Sequence, residues 1–209
     1  MKKFEREMVR GWLHEPERPL GKGIVLAHGA GSNCESPLLR ATAEAFAAAG
    51  YHVLRCDLPY RQQRPHGPPI SALAGRDREG LQRAADAMRE IVPVVVLGGH
   101  SYGGRQSSML LAEQPGVADM LLLLSYPLHP PKKREQLRTA HFPKLHTPAL
   151  FVHGTRDPFG LIPEMEGALA ALPGRHRLVS IEKAGHELGV AAVPVILEET
   201  QCFVNELTR

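Results

Sequence analysis

The stretch Val94-Val95-Val96-Leu97-Gly98-Gly99-His100-Ser101-Tyr102-Gly103-Gly104 decides the fold. Its first residues form a short apolar run rich in β-branched side chains, which is typical of a buried strand, and segment 105–114 favours a helix. Between the two, residues 99–103 match the pattern G-x-S-x-G. A serine on a tight, glycine-flanked turn between a strand and a helix is the arrangement of a nucleophile elbow.

The glycines on either side of Ser101 have a physical role in this interpretation. We predict that a side chain at Gly99 or Gly103 would collide with a neighbouring strand or helix, and that Ser101 has a strained backbone. The start of the following helix supplies free N–H groups and the positive end of a dipole. The alternative is a glycine-rich turn around a surface serine, because G-x-S-x-G alone is common by chance.

Segments outward from the elbow alternate between apolar runs and helical patterns. The predicted strands are 8–13, 23–27, 51–54, 93–97, 118–124, 148–152 and 177–181. The predicted helices are 36–50, 77–91, 105–114, 161–172 and 193–207, with long connections at 61–69 and 125–147 and a short helix near 133–138. This alternation predicts a single α/β domain over residues 1–209, with a mostly parallel sheet of about seven strands and helices on both faces.

The composition argues against several classes of protein. The chain has 209 residues, of which 43% are hydrophobic and 22% charged, as in an ordinary globular domain. A net charge of +3 without a lysine-rich tail argues against a nucleic-acid partner. The charged start of the chain argues against a signal peptide. No apolar run is long enough to span a bilayer, so we expect no membrane partner. The chain has three widely spaced cysteines, Cys34, Cys56 and Cys202. This pattern favours reduced thiols, so we expect a cytoplasmic protein.

Polar residues follow several of the predicted strands. In a parallel sheet the ligand site lies at the carboxyl ends of the strands. Those ends carry a chemically suitable set of residues, namely His28-Gly29-Ala30, Asp57, Ser101, Asp157 and His186. This convergence predicts a site at one edge of the sheet without relying on any single motif.

His186 is the predicted general base among eleven histidines. A serine hydroxyl is a weak nucleophile at neutral pH and needs an adjacent base that a third group orients. His186 follows the last predicted strand and lies downstream of both Ser101 and a suitable acid, as in the chain order Ser, Asp, His. Three other histidines lie near the same edge but inside strand-end turns, where holding a loop is the expected role: His28, His100 and His153.

Asp157 is the predicted acid, and its role would be to hold the imidazole in the correct tautomer. Asp57 is the rival, but it precedes Ser101 in the chain. Asp157 stands directly before Pro158, so the alternative for it is a carboxylate that only caps a turn.

Two backbone N–H groups are predicted to stabilise a developing oxyanion, those of Tyr102 and Ala30. The flanking Gly29 and Gly31 let the backbone approach a substrate. A phosphate-binding loop is the rival interpretation, but neither G-x-x-x-x-G-K-[ST] nor G-x-G-x-x-G occurs here. H-E-x-x-H is also missing, so we expect no metal and no cofactor.

Four motifs together resemble the α/β-hydrolase superfamily. They are LAHGAGSN (26–33), GGHSYGGR (98–105), HGTRDPFG (153–160) and AGHEL (184–188). The chain is most similar to the small dienelactone-hydrolase-like branch, including compact bacterial hydrolases related to testis-expressed-30-type proteins. The resemblance implies a triad of Ser101, Asp157 and His186 with an oxyanion hole at Ala30 and Tyr102. Dienelactone hydrolases proper have a cysteine nucleophile, so their substrate is not implied, and the short chain leaves little room for a helical cap.

The expected function is a serine hydrolase that cleaves a small acyl substrate. A binding or scaffold protein without turnover, and an acyltransferase or peptidase using the same triad, are the alternatives. Gly29, Tyr60, Arg61 and Tyr126 are the predicted substrate contacts. Two loops that can reach the site carry basic residues, namely Arg61, Arg64, His66, Lys132, Lys133 and Arg134. They lead to the hypothesis that the substrate is an anionic ester or thioester, the alternative being that these side chains are only a solvated surface.

Overall fold

One sheet of eight strands forms the centre of the fold in the computed structural model, which describes residues 1–207. The strand order across the sheet is β1-β2-β4-β3-β5-β6-β7-β8. Strand β2 pairs antiparallel with β1 and with β4, and the remaining neighbours pair in parallel. The strands are β1 (Lys2–Arg6), β2 (Val9–His14), β3 (Lys22–Ala27), β4 (His52–Asp57), β5 (Val94–His100), β6 (Met120–Leu124), β7 (Ala149–Gly154) and β8 (His176–Ile181).

Helices cover both faces of the sheet, as the α/β pattern predicts. The described helices are α1 (Pro37–Ala48), α2 (Pro59–Gln63), α3 (Ala74–Arg89), α4 (Tyr102–Glu113), α5 (Ile162–Leu169) and α6 (Val193–Leu207). Apolar side chains of α1 and α6 join one core, and those of α3, α4 and α5 join the other. None of the helices between residues 1 and 207 combines the length and apolar character needed to cross a membrane.

The central strands bury both of their faces. Ile24 and Leu26 of β3 pack into the core with α1 and α6, whereas Val25 and Ala27 pack into the core on the opposite face. Successive side chains of a strand point to opposite faces, so a strand covered on both sides needs a continuous apolar run. This requirement explains why the central strands were predictable from sequence.

The sheet has one strand more than predicted. The charged segment Lys2–Arg6 forms β1, with four of its five residues exposed, and Phe4 lies opposite Gly11 in the antiparallel register. An edge strand needs little apolar surface, and charged residues protect it from pairing with other chains. Its sequence therefore lacks the apolar pattern that identifies the inner strands.

The connections differ from their predictions in three places. Segment 133–138 forms turns and bends rather than the predicted short helix, and the connection between β6 and β7 contains only a 3₁₀ turn at Phe142–Lys144. No helical cap is inserted there. The loop predicted at 61–69 begins inside α2. Helix α4 begins at Tyr102 rather than residue 105, because Ser101 already occupies the N-cap position and the two glycines that follow are helical.

Candidate active site

Ser101 lies on a strained turn between β5 and α4. Its backbone angles are φ 50° and ψ −111°, an uncommon conformation for a residue with a side chain. A Cβ atom at Gly99 would lie 2.2 Å from the carbonyl oxygen of Ala27, and one at Gly103 would lie 2.7 Å from that of His28. The predicted collisions are therefore confirmed, and both involve backbone that cannot rotate away.

A continuous chain of hydrogen bonds joins Ser101, His186 and Asp157. The Oγ of Ser101 lies 2.7 Å from Nε2 of His186, and Nδ1 of His186 lies 2.8 Å from Oδ2 of Asp157. A carboxylate can only accept, so Nδ1 carries the hydrogen and Nε2 is free to accept from the serine hydroxyl. The structure thus brings together the three residues on which the sequence-based triad depends.

Two neighbours fix the imidazole of His186. The Nε2–H of His100 donates to the backbone carbonyl of His186 over 2.8 Å, and burial lowers the pKa of His100, which favours this neutral donor form. The ring of Phe159 packs against the imidazole, with 4.1 Å between the ring centroids. His100 and Phe159 therefore act as positioning residues for the imidazole.

Asp157 is fully buried and uses its two oxygens differently. Oδ1 accepts the backbone N–H of Phe159 over 2.8 Å, which is the turn-capping bond considered as the alternative for this residue. Oδ2 faces His186, so capping and orientation coexist. The rival Asp57 accepts the N–H of Cys34 over 2.7 Å and lies 3.7 Å from Nε2 of His28, so its contacts are with the loop after β3 and not with His186.

The two predicted oxyanion donors line the same cavity as Ser101. Tyr102 is the first residue of α4, so its N–H has no acceptor within the helix. Ala30 lies in the loop after β3, next to Gly29. The N–H of Gly103 donates to the carbonyl of His28 over 3.1 Å and ties this loop to α4. Both donors therefore belong to backbone that the fold holds together.

Tyr60 and Arg61 lie behind this loop rather than on the cavity wall. The Tyr60 hydroxyl donates to the carbonyl of Ala30 over 2.8 Å, and burial raises the pKa of Tyr60 to about 12, so it stays a donor. The guanidinium of Arg61 donates to the carbonyls of Ala30 at 3.0 Å and Ser32 at 2.8 Å. This placement does not support the substrate contacts expected for the two side chains, and it gives them a positioning role instead.

Asp77 adds a further support that the sequence did not reveal. Its Oδ2 accepts from the Tyr102 hydroxyl over 2.8 Å, and its Oδ1 accepts the backbone N–H of Tyr60 over 3.0 Å. Burial raises the pKa of Asp77, although both hydrogen bonds act in the opposite direction. Asp77 thereby joins the first turn of α3 to both sides of the predicted oxyanion hole.

A cavity of about 810 Å³ opens over Ser101. Of the four predicted substrate contacts, only Gly29 lies on its wall. Tyr126 is buried, with its hydroxyl donating to the carbonyl of Arg138 over 2.6 Å. The wall instead includes two arginines that sequence reasoning missed, Arg105 and Arg138. The position of Arg105, one helical turn after the serine, was an available signal, whereas nothing local marked Arg138.

The part of the chain between residues 1 and 207 contains no group of three or more His, Cys, Asp or Glu side chains arranged to hold a metal ion. Cys34 lies close to the oxyanion loop and is buried, and this burial raises the pKa of its thiol to about 12. A thiol in that state is a poor nucleophile.

The chain is similar in sequence to known hydrolase-fold proteins. A family model described as "Alpha/beta hydrolase domain" matches residues 21–194. A protein of Pongo abelii with the name "Putative protein-lysine deacylase ABHD14B" is 31% identical over 166 residues, covering 78% of this chain and 73% of that protein. Its counterpart of the same name in Homo sapiens is 28% identical over 170 residues, with the same coverage.

Solved structures match over nearly the whole chain. A dienelactone hydrolase from Anabaena variabilis has a TM-score of 0.73 and 25% identity, covering 94% of this chain and 91% of that one. TT1662 from Thermus thermophilus has a TM-score of 0.73 and 26% identity, covering 99% and 98%. Est1E from Butyrivibrio proteoclasticus has a TM-score of 0.75, covering 99% and 98%, but at 15% identity it shows similarity of fold alone.

Proposed function

The chain belongs to the alpha/beta hydrolase domain family, and from this membership we propose that it is a serine hydrolase that cleaves a small ester, thioester or related acyl bond through an acyl-enzyme on Ser101. The hydrolytic activities named for its relatives support the broader assignment as a hydrolase. One observation carries the finer proposal: the unbroken hydrogen-bonded chain from Ser101 through His186 to Asp157.

Acylation begins with the proton on Ser101. Nε2 of His186, 2.7 Å from the serine oxygen, takes this proton as the oxygen attacks the substrate carbonyl. The carboxylate of Asp157 stabilises the imidazolium that forms and keeps its other nitrogen protonated. His186 then donates the proton to the leaving group, and the acyl group remains on the serine.

The negative charge that develops on the carbonyl oxygen needs donors that are in place before the reaction. The backbone N–H groups of Tyr102 and Ala30 supply them, and the network of Asp77, Tyr60 and Arg61 holds both segments in place. In the second half of the cycle, His186 removes a proton from water as the water oxygen attacks the acyl carbonyl. The bond from the acyl carbon to the oxygen of Ser101 then breaks, His186 returns the proton to that oxygen, and the acid is released.

The similarity to the protein named as a lysine deacylase favours a second candidate, removal of an acyl group from a lysine side chain. This reaction breaks an amide instead of an ester, through the same acyl-enzyme. A lysine amine is a poor leaving group, so the proton donated by His186 matters more there than for an activated ester.

A fluorophosphonate probe tests the proposal, because it reacts with an activated serine. We expect the wild-type protein to be labelled at Ser101, as mapped by mass spectrometry of the labelled peptide. Labelling should disappear in Ser101→Ala and fall at least about a hundredfold in rate in His186→Ala, since an unassisted hydroxyl is a weak nucleophile.

Ser180→Ala is the matched control, because Ser180 is an exposed residue of the edge strand β8. It should keep the wild-type labelling rate. If the folded wild-type protein is not labelled, the serine is not activated, and the scaffold alternative takes precedence. If labelling succeeds, 4-nitrophenyl esters of increasing acyl length and an acyl-lysine peptide, each measured as kcat/KM, decide between the two candidate reactions.

A further inference from the structure

Two arginines reach the cavity over Ser101 from separate parts of the fold. Arg105 lies in the first turn of α4, and its backbone N–H donates to the carbonyl of Ser101 over 2.9 Å. Arg138 comes from the connection between β6 and β7. Its backbone N–H donates to the carbonyl of Leu128 over 2.8 Å, which anchors that part of the connection. Both positions are therefore set by the backbone.

The guanidinium groups of these arginines are poorly partnered. Neither forms a salt bridge with any carboxylate of residues 1–207. Nε of Arg105 is buried without a hydrogen-bond partner, and the guanidinium's side-chain contact is with the neutral hydroxyl of Tyr126. Arg138 makes a long contact of 3.5 Å to the carbonyl of Pro127. Arg61, by contrast, places its donors on four backbone carbonyls. Buried donors normally have acceptors, so the buried Nε–H of Arg105 lacks one, and neither guanidinium has the negatively charged partner that a ligand could provide.

No negatively charged side chain of residues 1–207 forms an ion pair with either arginine. Burial and the charge of Arg105 both lower the pKa of His141 to about 4 and also lower the pKa of Arg138. Burial raises the pKa of the Tyr126 hydroxyl, so it stays neutral. Among the described residues, Glu187 is the one carboxylate on the cavity wall, and it forms no salt bridge with either arginine. An anion bound between the two guanidinium groups would offset the repulsion between their positive charges.

We propose that Arg105 and Arg138 form a subsite for a carboxylate group of the substrate, so that esters or thioesters carrying a negative charge are preferred over neutral ones. The inference rests on the proposed function, because it assigns the substrate class of the same serine. Arginine is suited to this role because its planar fork binds both carboxylate oxygens at once. The subsite lies inside the cavity, in contrast to the exposed loop cations from which the sequence led to a similar hypothesis, Lys132, Lys133 and Arg134.

The carboxylate could belong to the acyl group or to the leaving group of the substrate. Two pairs of esters distinguish these cases, because the first pair varies the charge on the acyl group and the second varies it on the leaving group. The first compares 4-nitrophenyl hydrogen adipate with its neutral methyl ester. The second compares 4-acetoxybenzoate with methyl 4-acetoxybenzoate. The readout is the ratio of kcat/KM within each pair, after division by the uncatalysed rates, at low and at high salt. We expect the charged member to be preferred at least about tenfold in one pair, and less at high salt.

Arg105→Gln and Arg138→Gln test the assignment of residues. Each should lower the preference for the charged ester about tenfold to hundredfold, which is the usual effect of losing hydrogen bonds to a charged group. Lys133→Gln is the matched control, since it removes the same charge from an exposed site on the same connection. The proposal would be refuted if the preference for the charged ester were the same in the wild type and all three variants. It would also be refuted if Lys133→Gln lowered that preference as much as the two arginine variants do.

A binding measurement keeps the inference testable without turnover. Calorimetry of adipate with Ser101→Ala should give a dissociation constant that rises about tenfold or more when Arg105→Gln or Arg138→Gln is added. No binding of adipate, or binding of inorganic phosphate alone, would overturn the carboxylate subsite even if fluorophosphonate labelling succeeds. Binding that depends on both arginines in a protein that is never labelled would support the subsite and contradict the proposed function.

Discussion

Acidification is expected to destabilise the protein through His28, which holds the loop after β3. His28 is fully buried, its Nδ1–H donates to the carbonyl of Gly29 over 2.8 Å, and its Nε2 accepts the N–H of Leu58 over 3.1 Å. A second proton would point Nε2–H at another N–H. Burial lowers the pKa of His28 to about 4, although the Gly29 carbonyl and Asp57 act in the opposite direction.

The sign and size of the effect follow from the difference in proton binding. An unfolded chain protonates this histidine near pH 6.5, whereas the folded protein does so only near pH 4. The stabilisation is therefore fully present above pH 6.5, falls as the pH drops to 4, and is constant below that value. A pKa difference of about 2.5 corresponds to about 3 kcal/mol of unfolding free energy, of which about 2 kcal/mol is lost already at pH 5.

Urea unfolding of the wild type and of His28→Asn at pH 7 and pH 5 measures this contribution. The wild type should lose about 2 kcal/mol more than the variant over this interval, because the variant has no imidazole to protonate at that position. His14 and His141, whose pKa values burial also lowers to about 4, contribute to both proteins and cancel in the comparison. Equal losses in the two proteins would refute the reasoning about His28.

Three further substitutions probe the site. Gly29→Ala places a Cβ 2.9 Å from Nδ1 of His100, so kcat/KM for a neutral ester should fall about tenfold to hundredfold while the protein stays folded, as checked by its Tm. A wild-type kcat/KM would show that the loop can move freely. Tyr102→Phe leaves an oxygen of buried Asp77 without its donor, and urea unfolding should show a loss of about 1–3 kcal/mol. Phe159→Leu removes the ring over the proposed base, and the fluorophosphonate labelling rate should fall about two- to tenfold; an unchanged rate would mean that the ring contact does not position it.

The chain positions that the fold brings to the site were predictable from the sequence. The elbow at Ser101 follows from two glycines at fixed spacing between a β-rich run and a helical segment, because few other sequences tolerate that turn. The placement of Asp157 and His186 followed from chain order and from the rule that parallel strands end at one edge. Their hydrogen-bonded arrangement agrees with this prediction, while their role in catalysis stays a proposal.

Side-chain directions could not be derived in the same way. Tyr60 and Arg61 belong to a loop that approaches the site, and the sequence could not show that their polar atoms turn inward to the carbonyl of Ala30. Arg138 is the last residue of the short helix predicted near 133–138, which the structure does not contain, and its position depends on a backbone hydrogen bond to Leu128, ten residues earlier. The charged edge strand Lys2–Arg6 escaped prediction because exposed pairing leaves no apolar pattern.

The positions of the proposed nucleophile and of the proposed oxyanion loop both depend on the contact between β3 and β5. Ala27 and Gly99 are partners in the parallel register, and the N–H of Gly103 donates to the carbonyl of His28 directly beyond that pair. A displacement of either strand end would therefore move Ser101 and the oxyanion donors together. If both groups have their proposed roles, they act mainly on the transition state, and such a displacement should lower kcat more than it raises KM. The glycines at this contact thus maintain the geometry of the proposed active site as well as the packing of the sheet.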